Sequence, residues 1–381
     1  MARVLILGGG FGGVSAATEL RRRLGDDHEI IVVDLSSRFV MGLRKLWDLV
    51  GVGRIEDGSR DLNLLERRGI RFERSEVLGI DPAKRSVSTD AGLLSADYMV
   101  LALGAQSRPD LVPGLAEYGH NVWDVAGVPG LKARLDSFDG GEIIVAIAGM
   151  PYTCPPAPFE CAMLLDDCLR ERGLRDRSAI TVTTPKPILL PNAGVEGSRW
   201  LAEQLTARDI SYDTGHEVKH VEAGRIDYGD TGLDFDLLIG VPPHRPPRVV
   251  AESDLSGPGG WITVDSGTFE TSHENVFAIG DVTKVILANG LPLPKAGVMA
   301  DLEGQRVAAA IAARIAGGDP PDPFDGRGYC FLEMSMSTAA LIEGAFYSRP
   351  EPQVTVEGES EAHAERKHRF EAERLERWFG A

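Results

Sequence analysis

The chain has 381 residues, enough for two or three domains with cores of their own. Its net charge of −17, with no broad basic stretch, excludes a nucleic-acid-binding surface and gives no reason for adhesion to anionic lipid. Four cysteines are too few for a disulfide scaffold, no apolar run approaches the ~20 residues of a membrane span, and Met1-Ala2-Arg3 enters a strand without a signal-peptide pattern, so a cytoplasmic protein is expected.

Arg3 to Leu7 reads as a buried strand, followed at once by Gly8-Gly9-Gly10-Phe11-Gly12-Gly13 and a helix over Val14–Leu24. This is G-x-G-x-x-G between strand and helix. Gly8 permits the tight turn, Gly10 lets backbone approach a pyrophosphate, and Gly13 lets helix and strand pack closely. Phe11 and Gly12 complete the turn, and the helix N-terminus offers N–H groups to phosphate. A second strand, Glu29–Val33, ends in Asp34, the acidic residue expected to grip a ribose hydroxyl. Further on, Ala96–Ala105 is an apolar strand closed by Gly104, and Asn275–Asp281 is another ending in Gly280-Asp281. These two segments resemble the second and third FAD signatures of the two-dinucleotide-binding flavoproteins. The resemblance makes FAD the expected cofactor and implies that Asp281 bonds its ribityl chain.

The implied fold is α/β, with two Rossmann-like dinucleotide-binding domains plus a small C-terminal module. Residues 1–105 and 253–318 are read as the two parts of the FAD domain. Residues 106–252 are read as an inserted second domain, with strands at Glu142–Ala148, Ala179–Thr183 and Asp236–Ile239 and helices near Glu160–Arg172 and Gly197–Arg208. Residues 319–381, after a proline-rich link, form the module, with a strand pair around Cys330 and Gly344–Ser348. Glu361–Ala381 is a charged helix whose Phe370, Leu375, Trp378 and Phe379 make a loose apolar stripe. Docking on its own or a partner subunit, as in a homodimer, and a peripheral contact with the inner membrane are the two roles open to that stripe.

The inserted domain carries the departure that sets the chemistry. Its first strand runs into Gly149-Met150-Pro151-Tyr152-Thr153-Cys154-Pro155-Pro156-Ala157-Pro158-Phe159-Glu160, where a second glycine fingerprint would bind a nicotinamide. Prolines have no N–H to offer a pyrophosphate, and their rings crowd it. Cys154, Cys161 and Cys168 fall seven apart, but no histidine or further cysteine stands nearby to complete a metal site, so no metal is expected. Cys161 and Cys168 read as small apolar residues of a helix.

The Cys154–Glu160 segment resembles the active-site cysteine segment of sulfide:quinone oxidoreductases and of the flavocytochrome c sulfide dehydrogenase flavoprotein. Tyr329-Cys330-Phe331 resembles their second cysteine strand, and Pro294–Ala300 their helix start beside the flavin. The resemblance implies a redox pair, Cys154 with Cys330, that takes up a sulfide nucleophile as persulfide and passes two electrons to the flavin. It also implies Glu160 as a general acid or base, or alternatively a salt-bridge or capping residue. Lys295, with the backbone of Ala296 and Gly297, would steady charge on the reduced flavin. No cysteine precedes Cys154, so the covalent flavin link known in the family has no counterpart, and FAD is expected to be noncovalent. The family's histidines have no match around Pro185–Asn192. The small substrate is expected to be sulfide, a persulfide or a thiol, with a quinone or cytochrome-like acceptor. A nicotinamide dehydrogenase or disulfide reductase and a catalytically degenerate FAD-binding redox partner are the alternatives.

Overall fold

The computed structural model describes residues 1–380. Its centre is a five-stranded parallel sheet in the order Val276–Ala278, Tyr98–Leu101, Arg3–Leu7, Glu29–Asp34, Arg71–Arg74. Val4 to Leu7 and Ile30 to Val33 are buried without a break. A parallel sheet covered on both faces requires such continuous apolar runs. Helices Phe11–Leu24 and Gly297–Ala316 lie against each other on one face. A side chain at Gly304 would come within 2.5 Å of the Gly12 carbonyl, so glycine sets how closely the two helices approach. Ser15 Oγ closes the contact on Asp301 Oδ1 at 2.6 Å.

A second parallel sheet, four-stranded, is ordered Ser211–Thr214, Ser178–Thr184, Gly141–Ile147, Leu237–Val241. It has helices Ala157–Glu171 and Gly194–Ala207. The connections to and from it run side by side, Gln106–Ser107 pairing antiparallel with His244–Arg245. The α/β architecture expected from sequence is the one observed.

The C-terminal part is an antiparallel meander of three strands, Arg327–Glu333, Ala339–Ala345 and Gln353–Ser360, followed by the helix Glu361–Phe379. Sequence had placed a strand at Gly344–Ser348 and missed the third one. Phe346 and Tyr347 lie beyond the strand, Phe346 packing beside Met299 and Leu293. Of the two roles read for the terminal helix's stripe, the structure shows docking on the chain's own fold: Phe370, Leu375, Trp378 and Phe379 are all buried against the first sheet's helix layer. Among the described residues no helix is long and apolar enough to cross a membrane.

Candidate active site

Gly8 has φ +107, and a side chain there would meet the Ala102 carbonyl at 2.3 Å. A side chain at Gly13 would come within 1.8 Å of the Gly8 carbonyl. Both are therefore close-packing glycines. Gly10 has open space where a Cβ would be, and together with Phe11 and Gly12 it lines a cavity of about 390 Å³. Gly104, Gly280, Asp281, Lys295, Ala296 and Gly297 line the same cavity from other elements. Gly8, Gly13 and Asp34 are not among the residues that line it. The Asp34 carboxylate accepts from the N–H groups of Gly9 (2.6 Å) and Ser36 (2.7 Å), which fixes the glycine turn.

Cys154, Glu160 and Cys330 face this cavity too. Cys154 lies between the strand Gly141–Ile147 and the helix that begins at Ala157, with φ +57. A non-glycine residue is strained there, and such strain persists only where the surroundings impose it. Here the Cys154 N–H donates to the Lys295 carbonyl (2.7 Å) and its own carbonyl accepts from Ala157 N–H (2.9 Å). Trp123 Nε1 donates to the carbonyl of the preceding residue, Thr153, at 2.9 Å. Cys330 comes from the edge strand Arg327–Glu333. Both sulfurs are free thiols. Cys154 is exposed, but into the cavity, where burial within the protein pushes its thiol up, helped by Glu160 and Cys330. Burial likewise pushes Cys330 up to about 12. Cys161 and Cys168 lie buried in the apolar core of the second sheet.

Glu160, in the first turn of its helix, joins three elements. Its Oε1 accepts from Lys367 Nζ at 2.8 Å and from the Glu333 N–H at 3.0 Å. Lys367 reaches Glu333 Oε2 at 3.0 Å, and Trp47 Nε1 donates to Glu333 Oε1. Burial opposes the Lys367 charge, but Glu160 and Glu333 outweigh it and hold the ammonium above the usual lysine range. Sequence reading missed Lys367 and Glu333. Helical spacing carried a signal for Lys367, since it stands three residues before Phe370 on the buried face. Glu333 gave none, because the outer edge of its strand is satisfied by a side chain from another element.

Lys295 does not extend freely into the cavity. Its Nζ donates to the carbonyls of Asp281 and Thr283, both at 2.7 Å, and lies 3.9 Å from the centre of the Trp261 ring. Burial lowers it to about 8. Asp281 is pushed up by burial, and its Oδ1 is buried without a hydrogen-bond partner. Lys45, also missed, lines the cavity with its Nζ 2.5 Å from the Trp123 carbonyl.

The family profile described as pyridine nucleotide-disulphide oxidoreductase matches residues 2–310. The chain belongs to this family. As a member it is a flavin-dependent oxidoreductase. The mitochondrial sulfide:quinone oxidoreductase of Mus musculus is 26% identical over 372 residues, 91% of this chain and 79% of the relative. A type II NADH:quinone oxidoreductase of Staphylococcus haemolyticus is 22% identical over 327 residues, 81% of each chain. The sulfide:quinone oxidoreductase of Aquifex aeolicus shares the fold, with a TM-score of 0.90 at 23% identity over all of this chain and 92% of that one. The resemblance expected from the cysteine segment thus extends over nearly the whole chain. The oxidoreductase cavity fits a flavin. Gly10 leaves open space where a side chain would stand, and Asp281 Oδ1 lacks a donor that a hydroxyl would supply.

Proposed function

We propose that this oxidoreductase oxidises a small sulfur nucleophile, sulfide or a related persulfide or thiol, through Cys154 and Cys330, and passes the electrons to a quinone by way of a noncovalently held FAD. The observation that carries this reading is the meeting of two free thiols, distant in sequence, on one cavity with the glycine turn and the unpartnered Asp281 oxygen. In the FAD site Gly10 and Gly12 would admit the pyrophosphate, Asp281 the ribityl chain, and the start of the helix at Gly297 the ring edge.

With Cys154 and Cys330 joined as a disulfide, a hydrosulfide ion attacks one sulfur. The S–S bond breaks, one cysteine carries the persulfide, and the other departs as thiolate. A second sulfur nucleophile removes the outer sulfur and leaves the dithiol. Closing the disulfide again releases two electrons and the thiol protons. A bound flavin supplies the two-electron acceptor for that closure. Glu160 acts through Lys367, whose ammonium it holds at the edge of the sulfur site. Phe331, Phe370 and Val298 give the cavity an apolar wall suited to a quinone acceptor, and quinone is the named acceptor of the murine and staphylococcal relatives.

Backbone donors weigh against the nicotinamide alternative. The helix after Gly149 is preceded by Pro155 and Pro156 and carries Pro158 in its first turn, and none of these donates. Its remaining first-turn N–H groups are already bound: Ala157 to the Cys154 carbonyl, Phe159 and Glu160 to that of Pro156. No donor is left there for a pyrophosphate. The test is an anaerobic titration of the FAD-loaded protein with sulfide and, separately, with NADH, followed by flavin absorbance. Fast bleaching by sulfide, lost in Cys154→Ser, is the expected result. Bleaching by NADH alone would overturn the reading.

A further inference from the structure

Two lysines favour a thiolate at Cys154, Lys367 and Lys45. Lys367 stands on the C-terminal helix, but its ammonium is shared with Glu160 at 2.8 Å and Glu333 at 3.0 Å. Glu160 and Cys330 each disfavour a thiolate at Cys154, and Tyr152, two residues away, is a neutral phenol. Lys295 meets the Cys154 loop through its backbone carbonyl, while its ammonium is spent on the carbonyls of Asp281 and Thr283. Asp281, across the cavity, is pushed by burial toward its neutral form. Lys45 remains. It has no carboxylate partner within ion-pair distance among the described residues, lines the cavity that Cys154 faces, and spends one donor on the Trp123 carbonyl. Trp123 in turn holds the Thr153 carbonyl through its indole N–H. Lys45 is thus tied to the Cys154 loop both through space and through one bridging residue.

We propose that Lys45 is a positioning residue that stabilises the thiolate of Cys154 and fixes the strained turn on which it stands. The physical reason is that a thiolate, not a thiol, is the nucleophile, and a buried thiolate needs a cation that is not already neutralised. Lys45 supplies that charge. Burial lowers the lysine, and Cys154 and Asp124 work to keep it protonated, so ammonium and thiolate favour one another. The Trp123 bridge adds orientation, since a residue at φ +57 must be held from both sides.

This inference rests on Cys154 being the reactive thiol, but not on the identity of the sulfur substrate. The test is alkylation of the reduced, FAD-loaded protein by iodoacetamide under anaerobic conditions between pH 7 and 10. The Cys154 peptide is quantified by mass spectrometry, and Cys154→Ser serves as the blank. In Lys45→Met the Cys154 alkylation rate at pH 8 is expected to fall about tenfold, equivalent to its pH profile moving up by about one unit, and Lys45→Arg is expected to restore it. Lys45→Gln keeps a donor for the Trp123 carbonyl but no charge, and decides the matter alone if the methionine variant does not fold. A profile in Lys45→Gln that superimposes on the wild type would overturn the proposal. Because alkylation needs neither sulfide nor quinone, a failure of the sulfide titration leaves this result standing, and the reverse also holds.

Discussion

Removing the Lys367 ammonium would leave the carboxylates of Glu160 and Glu333 facing each other in the protein interior. Breaking a buried ion pair from one side costs about 3–5 kcal/mol, and Lys367→Met is expected to lose stability on that scale in urea unfolding, while Lys367→Arg loses less. An unchanged unfolding midpoint would show that the triad exchanges with water. Individual residues were legible in the sequence to the extent that their chemistry is local. Cys154 stood out because prolines surround it, and the glycine turn because its spacing is fixed by backbone sterics. Lys45 and Glu333 did not stand out, since a lysine or glutamate acquires a role from the neighbours that folding brings to it. Lys295 shows the same point in reverse. Its position in the Pro294–Ala300 segment suggested an ammonium at the flavin edge, and the carbonyls of Asp281 and Thr283 take two of its three donors.

The terminal helix is the element whose partner the sequence left open. Its charged faces and narrow apolar stripe were read as docking on a subunit or as a peripheral membrane contact. In the fold Trp378 is fully buried, its ring centre 5.4 Å from those of both Phe11 and Phe39 in edge-on contacts. Ion pairs lock the polar faces: Arg44 grips Glu371 with two bonds of 2.7 and 2.6 Å, and Arg374 reaches Asp301 at 3.3 Å. Phe11 belongs to both this aromatic cluster and the cavity wall, so the helix braces the nucleotide turn. Trp378→Ala is expected to cost about 3–5 kcal/mol, the usual range for emptying a large aromatic site. It is also expected to weaken FAD retention, read as flavin released on gel filtration. A variant that keeps both its stability and its flavin would show that the helix is not a brace. The inner strands of the two parallel sheets were more readable, because they are largely apolar runs, whereas the polar edge strands Arg71–Arg74 and Ser211–Thr214 were not read. The third strand of the meander, Gln353–Ser360, was not, because most of its residues are exposed.

At the scale of the whole molecule, the pH dependence of folding should carry the mark of the buried groups around the cavity. Burial raises Glu303 from 4.5 to about 8, although the Gly280 N–H favours its charge. A carboxyl raised on folding stabilises the native state fully below its unfolded value, and that contribution is lost as pH rises toward the folded one. Stability should therefore fall between pH 4.5 and 8 through this residue, by on the order of 1 kcal/mol per pH unit. Lys295, lowered to about 8, acts in the opposite sense but only above that pH. Urea unfolding at pH 5, 6, 7 and 8 should show Glu303→Gln gaining on the wild type as pH rises, and a difference independent of pH would refute the assignment. The sequence by itself determined the α/β class, the glycine turn for a dinucleotide, the loss of donors at the second fingerprint and the presence of an unusual cysteine. These follow from local sterics, from the missing N–H of proline and from apolar periodicity. Only the tertiary structure decided that Cys330 shares a cavity with Cys154, that Lys367 is shared between two carboxylates, that the terminal stripe faces inward and that Lys45 has no carboxylate partner among the described residues. Each of these depends on contacts between segments far apart in the chain, and charge and burial at a site are set by what such contacts exclude from water.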